Sequence, residues 1–200
     1  MKQNCKYKTS FILINTIILG IIAGFSHFAY NLSGDSVIVG MFNPINESVW
    51  EHLKFMFFPN LFWWIIMYFI QKRRYDVDLQ KWLITSAVSL VTAPLCVIFL
   101  FYSYTGALGI ESVIVDISLV FICYFVALKL AFYVYMYIKP NTTKFIFSIL
   151  LIAIIFLAFI ILHLILHICL YFMILLREHM AYNKLVVSFA RQKAVYMGCF

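Results

Sequence analysis

Long apolar runs alternate with short polar segments along the chain, and this pattern predicts membrane-spanning helices. A helix needs roughly 20 apolar residues to cross the hydrocarbon core of a bilayer, where its backbone amides must be paired within the segment. The strict apolar and polar alternation of a spanning strand is absent. We predict an all-α polytopic membrane bundle of about five transmembrane helices, with spans at residues 10–30, 55–70, 82–104, 110–138 and 145–161. Residues 1–160 would then form a single helix-bundle domain.

The polar segment between the first two spans is the longest and is rich in turn-forming residues. The helix is expected to restart after Pro44, where Asn46 or Ser48 can cap it. Glu47 and Glu51 suit the positive end of that helix. The second span therefore begins with a charged turn outside the hydrocarbon.

Composition supports the bilayer as the solvent of this chain. Hydrophobic residues make up 65% of it and charged residues only 12%, a balance that a water-soluble core does not require. The net charge of +7 could indicate nucleic acid as a partner. Its lysines and arginines, however, occur in short clusters between apolar runs and form no basic stripe. We therefore expect a lipid bilayer and no nucleic acid as partner.

The basic clusters predict how the bundle is oriented in the membrane. They precede the first span, follow the second and follow the fourth, whereas the alternate loops hold almost no lysine or arginine. The basic residues are Lys2, Lys6, Lys8, Lys72, Arg73, Arg74, Lys81, Lys139 and Lys144. Because basic loops stay in the cytoplasm, the N-terminus is expected inside. The predicted location is a bacterial cytoplasmic (inner) membrane, with a multi-pass topology.

Polar residues gather at the helix ends that would face outward. The candidates for a functional site are His27, Glu47, Glu51, His52 and Asp116. Carboxylates and imidazoles at one depth suit a metal site or an acid–base pair, and the sequence alone identifies neither a metal nor a cofactor. At 1.5 Å per residue below Glu111, Asp116 lies about 8 Å along its helix and needs a partner such as His27 or His52.

A simpler interpretation assigns these residues no chemistry. Glu47 and Glu51 complement the start of a helix, His52 is an interfacial side chain, and Trp50 belongs to an aromatic belt. Both interpretations remain open on the sequence.

The block Asn46-Glu-Ser-Val-Trp-Glu-His-Leu-Lys54, with the stretch from His27 to Gly34 before it, resembles an uncharacterised bacterial family of multi-pass membrane proteins. This family is a domain of unknown function. The resemblance covers most of the chain and implies a small bundle of about five helices, but no activity.

The same block is more loosely similar to one in the progestin and adiponectin receptor superfamily. That resemblance implies a zinc-dependent, hydrolase-like site completed by a His-x3-His pair, a spacing found here at His163 and His167. The chain departs from the superfamily in the spacing of the first block and in having five predicted helices where the superfamily has seven.

The last part of the chain departs from the pattern of the rest. The apolar run from Phe145 to Leu176 is longer than one span and has no turn residues that would make two. The basic residues that follow it would lie outside, against the positive-inside rule.

A shift of reading frame accounts for both anomalies. The bacterial family that the chain resembles closes with a segment similar to P-L-F-x-D-P-x-T-G-x-Y-G-I, which is absent here. Residues 169–183 can be back-translated into codons that the genetic code permits. When each new triplet is formed from the third base of one codon and the first two bases of the next, the shifted frame can encode P-L-F-Y-D-P-I-T-G-T-Y-G-I followed by a stop. We therefore expect residues 161–200 to be an atypical tail translated out of frame. The spacing of His163 and His167 would then be accidental.

Two functions remain open on the sequence. The first is a ligand- or partner-binding module with an outward-facing polar site, whose lipid or protein ligand is unknown. The alternative is a membrane-embedded hydrolase, either metal-dependent or acid–base, that uses the candidate residues. No inverted repeat indicates a transporter.

Overall fold

The computed structural model describes the backbone of residues 7–196 and the side chains of residues 7–169, 172 and 173. Within these residues the regular structure is entirely α-helical. The chain divides into two units, Met1–Phe159 and Ile160–Phe200.

Six helices follow one another along the described chain. They are α1 (Thr9–Leu32), α2 (Val37–Phe42), α3 (Val49–Arg74), α4 (Leu79–Leu108), α5 (Val113–Tyr137) and α6 (Thr142–Tyr196). All except α2 are long and apolar enough to span a membrane, α6 over Thr142–Cys169. The predicted all-α bundle with five such helices is confirmed. Short helix α2 was not predicted, and it lies within the turn-rich loop after the first span.

Local signals in the sequence explain where the helices begin and end. The Ser48 side chain caps α3 by accepting a hydrogen bond from the Glu51 amide at 3.3 Å. Asp78 caps α4 in the same manner, and Gly109 ends α4 in the left-handed conformation, with φ of 64°. Of the two predicted caps of α3, Ser48 fills the role, while Asn46 accepts a hydrogen bond from the Ser48 amide at 3.0 Å.

One end of the first unit is closed by packed aromatic rings. The Trp82 indole donates to the Trp64 carbonyl at 2.9 Å, and the ring of Phe132 packs against both indoles. Tyr7 contacts Phe132 with ring centroids 4.1 Å apart. These contacts join the residue two positions before α1, the second half of α3, the start of α4 and the second half of α5. The basic clusters in the sequence adjoin this same end.

Polar side chains in the middle of the first unit are paired between helices. The Trp63 indole donates to Asn15 at 2.8 Å, which joins α3 to α1. Asn60 and Ser89 bond each other at 3.0 Å, which joins α3 to α4. Because hydrocarbon offers no water to satisfy such groups, these bonds fix how the helices pack.

In the second unit, Ile160–Phe200, the described backbone is the later part of α6, which ends at Tyr196. The described backbone stays helical through the apolar run, which matches the lack of turn residues there. His163 and His167 are one turn apart, with ring centroids separated by 6.1 Å.

Candidate functional site

Three of the five predicted site residues meet at the end of the first unit opposite its aromatic end. The Glu47 Oε2 atom lies 3.3 Å from His52 Nε2 and 3.6 Å from His27 Nε2. The ligating atoms of all three side chains lie within 4.8 Å of one another. The two imidazole rings are edge to face, with centroids 5.3 Å apart.

Three separate elements bring these side chains together. His27 is near the end of α1, Glu47 lies in the bend before α3, and His52 is in the first turn of α3. The Glu47 side chain is 81% exposed, whereas those of His27 and His52 are 35% and 24% exposed. The cluster therefore has one open side, on which the carboxylate lies, and a more enclosed side formed by the histidines.

The orientation of His52 is fixed by the backbone of the helix that carries it. Its Nδ1 atom lies 2.8 Å from the Ser48 carbonyl oxygen. Because a carbonyl oxygen can only accept, Nδ1 carries the proton in this bond. The other nitrogen, Nε2, then faces Glu47 and holds either a second proton or a free lone pair.

A cavity of about 360 Å³ lies beside the cluster, and Asp116 lines it together with His27, Glu47 and His52. The apolar part of its lining includes Gly20, Ala23, Phe55, Ile117, Val120 and Phe121. The cavity thus has a polar end and apolar walls.

Asp116 has a hydrogen-bond donor of its own. The Tyr104 hydroxyl donates to Asp116 Oδ1 at 2.5 Å, across the turn between α4 and α5, and accepts from the Ser112 amide at 3.3 Å. The sequence predicted His27 or His52 as the partner of Asp116. In the described residues both histidines face Glu47, and the recorded partner of Asp116 is Tyr104.

Asp116 also lies nearer to its helix end than the sequence suggested. Helix α5 begins at Val113 and not at residue 110, so Asp116 is in the first turn. Its distance along the helix is about 4.5 Å, at 1.5 Å per residue. The cost of placing this carboxylate in the bundle is lower for that reason.

Glu51 does not join the cluster. Its carboxylate is almost fully buried and lies 2.6 Å from Lys54 Nζ, which also donates to the Gly40 carbonyl at 2.9 Å. The Glu51 carboxylate further accepts from the Ile45 amide at 3.1 Å. Glu51 thereby ties α2 and the bend before α3 to the helix. Its place in the fold is structural.

Sequence reasoning missed two residues that organise this end of the bundle. Lys54 is the fourth residue of the run Glu51-His-Leu-Lys54, and its i, i+3 spacing from a glutamate was a usable signal. Tyr104 is separated from Asp116 by the end of α4 and the turn at Gly109, and nothing in the sequence distinguishes it from Tyr102 nearby.

The fold and the site define an α-helical bundle with five helices long and apolar enough to span a membrane, and with a histidine and carboxylate cluster at one end. The chain belongs to a family of unknown function, DUF6512, whose family model matches residues 1–178. No curated protein and no solved structure matches the chain.

Proposed function

We propose that this protein is a membrane-embedded binding module for an amphiphilic lipid with a hydroxyl-bearing headgroup. The observation that carries the proposal is the cavity of about 360 Å³ that joins apolar walls to the cluster of His27, Glu47, His52 and Asp116. Apolar lining with a few convergent polar groups is typical of small-molecule sites.

The chemistry of the polar end favours hydroxyl groups in the ligand. Glu47 and Asp116 offer carboxylate oxygens that accept hydrogen bonds, and His27 and His52 can donate or accept. A hydroxyl group can donate and accept as well, so it matches both kinds of partner. An acyl chain can occupy the space between Ala23, Ile117 and Phe121, where the surrounding side chains are apolar.

The site faces the outside of the cell in this proposal. The basic clusters adjoin the aromatic end of the bundle, and the cluster of His27, Glu47 and His52 lies at the opposite end. With the basic end in the cytoplasm, the cavity takes its ligand from the outer leaflet of a bacterial inner membrane. Residues 31–48 then form an outer cover over the bundle, fastened by Lys54.

The experiment uses a pyrene-labelled monoacylglycerol and the purified chain in nanodiscs. Fluorescence titration should give saturable binding that D116N weakens by at least about tenfold, because a hydrogen bond to a charged group contributes about 1.5–3 kcal/mol. The matched control is Y102F, which removes an exposed hydroxyl two residues from Tyr104. Equal binding by D116N and Y102F, or no saturable binding to the unmodified chain, contradicts the proposal.

A second candidate function is hydrolysis of such a lipid. The observation that favours it is the bond from His52 Nδ1 to the Ser48 carbonyl, since a catalytic histidine needs an oriented ring with Nε2 facing its partner. Water would be added across the ester bond to give a fatty acid and the free alcohol. Release of fatty acid that E47Q and H52Q abolish would support this function, whereas release unchanged in both variants would contradict it.

A further inference from the structure

We infer that His27, Glu47 and His52 are the protein ligands of a zinc ion. The zinc site would lie at the polar end of the same cavity, and its role in lipid binding rests on the proposed function. Zinc binding itself can be tested without a lipid.

The distances between the candidate ligand atoms fit the first coordination shell of zinc. Two ligands about 2.0–2.1 Å from a tetrahedral zinc ion are separated by roughly 3.3–3.4 Å. Glu47 Oε2 lies 3.3 Å from His52 Nε2 and 3.6 Å from His27 Nε2. The separation of the histidine atoms is within 4.8 Å, and rotation of one ring can shorten it.

Hydrogen bonding prepares His52 for a metal. Its Nδ1 atom is committed to the Ser48 carbonyl, so in the neutral ring the lone pair is on Nε2. That lone pair and a carboxylate oxygen of Glu47 then face each other at 3.3 Å. Two acceptors at this distance repel unless a proton or a cation lies between them. A metal-bound histidine almost always donates its other N–H to such an oxygen.

The donor set selects among divalent metals. Imidazole nitrogens suit zinc and other late transition metals, whereas magnesium and calcium prefer sites built from oxygen ligands. A set of two histidines and one glutamate with the fourth position open is a known arrangement of catalytic zinc sites. The same three residues line the cavity, which has room for a ligand hydroxyl as a further donor to the ion. The exposed side of Glu47 provides an entry path for the ion.

Zinc binding is measured on the full chain in detergent after metal is removed with a chelator. A competition titration against a chromophoric chelator should show one zinc ion per chain. H27Q, E47Q and H52Q should each lower the affinity by at least about 100-fold, because even outer-shell partners contribute about 10–100-fold. Cobalt in place of zinc should give the visible absorption of a tetrahedral site in the unmodified chain and lose it in these variants.

Two control variants separate this site from other donors. H167Q removes a histidine in the second unit and E111Q removes an exposed carboxylate, and both should bind zinc like the unmodified chain. Zinc affinity that is unchanged in H27Q, E47Q and H52Q, or that falls equally in H167Q, overturns the inference. Circular dichroism of each variant shows whether the helices have been kept.

The zinc experiment and the lipid experiment can fail separately. Titration of the pyrene-labelled monoacylglycerol into metal-free protein tests the cavity without the metal. Lipid binding without zinc binding overturns the zinc inference and leaves the proposed function standing. Zinc binding without lipid binding supports the metal site and overturns the proposed function.

Discussion

The ammonium group of Lys54 lies 2.6 Å from the carboxylate of Glu51, and both side chains are almost completely shielded from solvent. The Lys54 ammonium also donates to the Gly40 carbonyl, and the Glu51 carboxylate also accepts from the Ile45 amide. One buried ion pair therefore fastens the segment that carries Glu47. The position of the carboxylate in the site depends on a salt bridge that is not part of the site.

Replacing Lys54 with methionine should destabilise the protein strongly. Removing one partner of a buried ion pair typically costs about 3–5 kcal/mol, because the other charge stays buried. The control is K72M, since the exposed Lys72 amine contacts Tyr68, donating to its hydroxyl at 2.7 Å, and forms no buried ion pair among the described residues. Thermal unfolding in detergent should show a large loss for K54M and little for K72M. The double variant E51Q/K54M should be less destabilised than K54M, and the opposite order would contradict this account.

The two glycines that line the cavity on α1 should respond differently to alanine. A Cβ atom at Gly20 would overlap the ring of Phe121 on α5, whereas a Cβ atom at Gly24 would meet nothing within 4 Å. G20A should therefore displace Phe121, reduce binding of the pyrene-labelled monoacylglycerol and cost about 1–3 kcal/mol, as overpacking does. G24A should be neutral or slightly stabilising, because alanine favours a helix. Equal lipid affinities of the two variants would exclude close contact at Gly20.

The orientation of the bundle can be tested with single cysteines. In a chain freed of its native cysteines, S33C should react with a membrane-impermeant maleimide in intact cells, because residue 33 lies in the proposed outer segment. R73C should react only after permeabilisation, since it belongs to a basic cluster. Labelling of R73C in intact cells would reverse the proposed topology.

The tail proposal predicts an interruption in the reading frame of the source gene. Sequencing around codons 155–165 should show that the original isolate carries an inserted or deleted base that an independent isolate lacks. The uninterrupted gene should encode the proline-rich ending. A helix of 55 residues, far longer than one span, is the structural feature that motivates this test. An uninterrupted frame in both isolates would refute the tail proposal.

The sequence predicted the helices well because apolar runs of about 20 residues have few alternatives in lipid. It also placed His27, Glu47 and His52 at one end of the bundle. The sequence could not show that Glu51 is buried and structural while Glu47 is exposed in the cluster. Both lie near the start of the same helix, and only the packing of α2 against α3 buries Glu51. Tyr104 was missed for a related reason. Its role depends on the turn geometry that brings α4 and α5 together, and the hydropathy pattern does not predict that geometry.

Ser48 performs two tasks with two different atoms. Its side chain starts α3, and its carbonyl oxygen holds the ring of His52. The Ser48 carbonyl therefore fixes only the ring of His52, while the position of Glu47 still depends on the buried pair of Glu51 and Lys54. For protein engineering, transfer of this arrangement to another helical bundle would therefore need residues 40–54 together, because the buried ion pair also binds the Gly40 carbonyl.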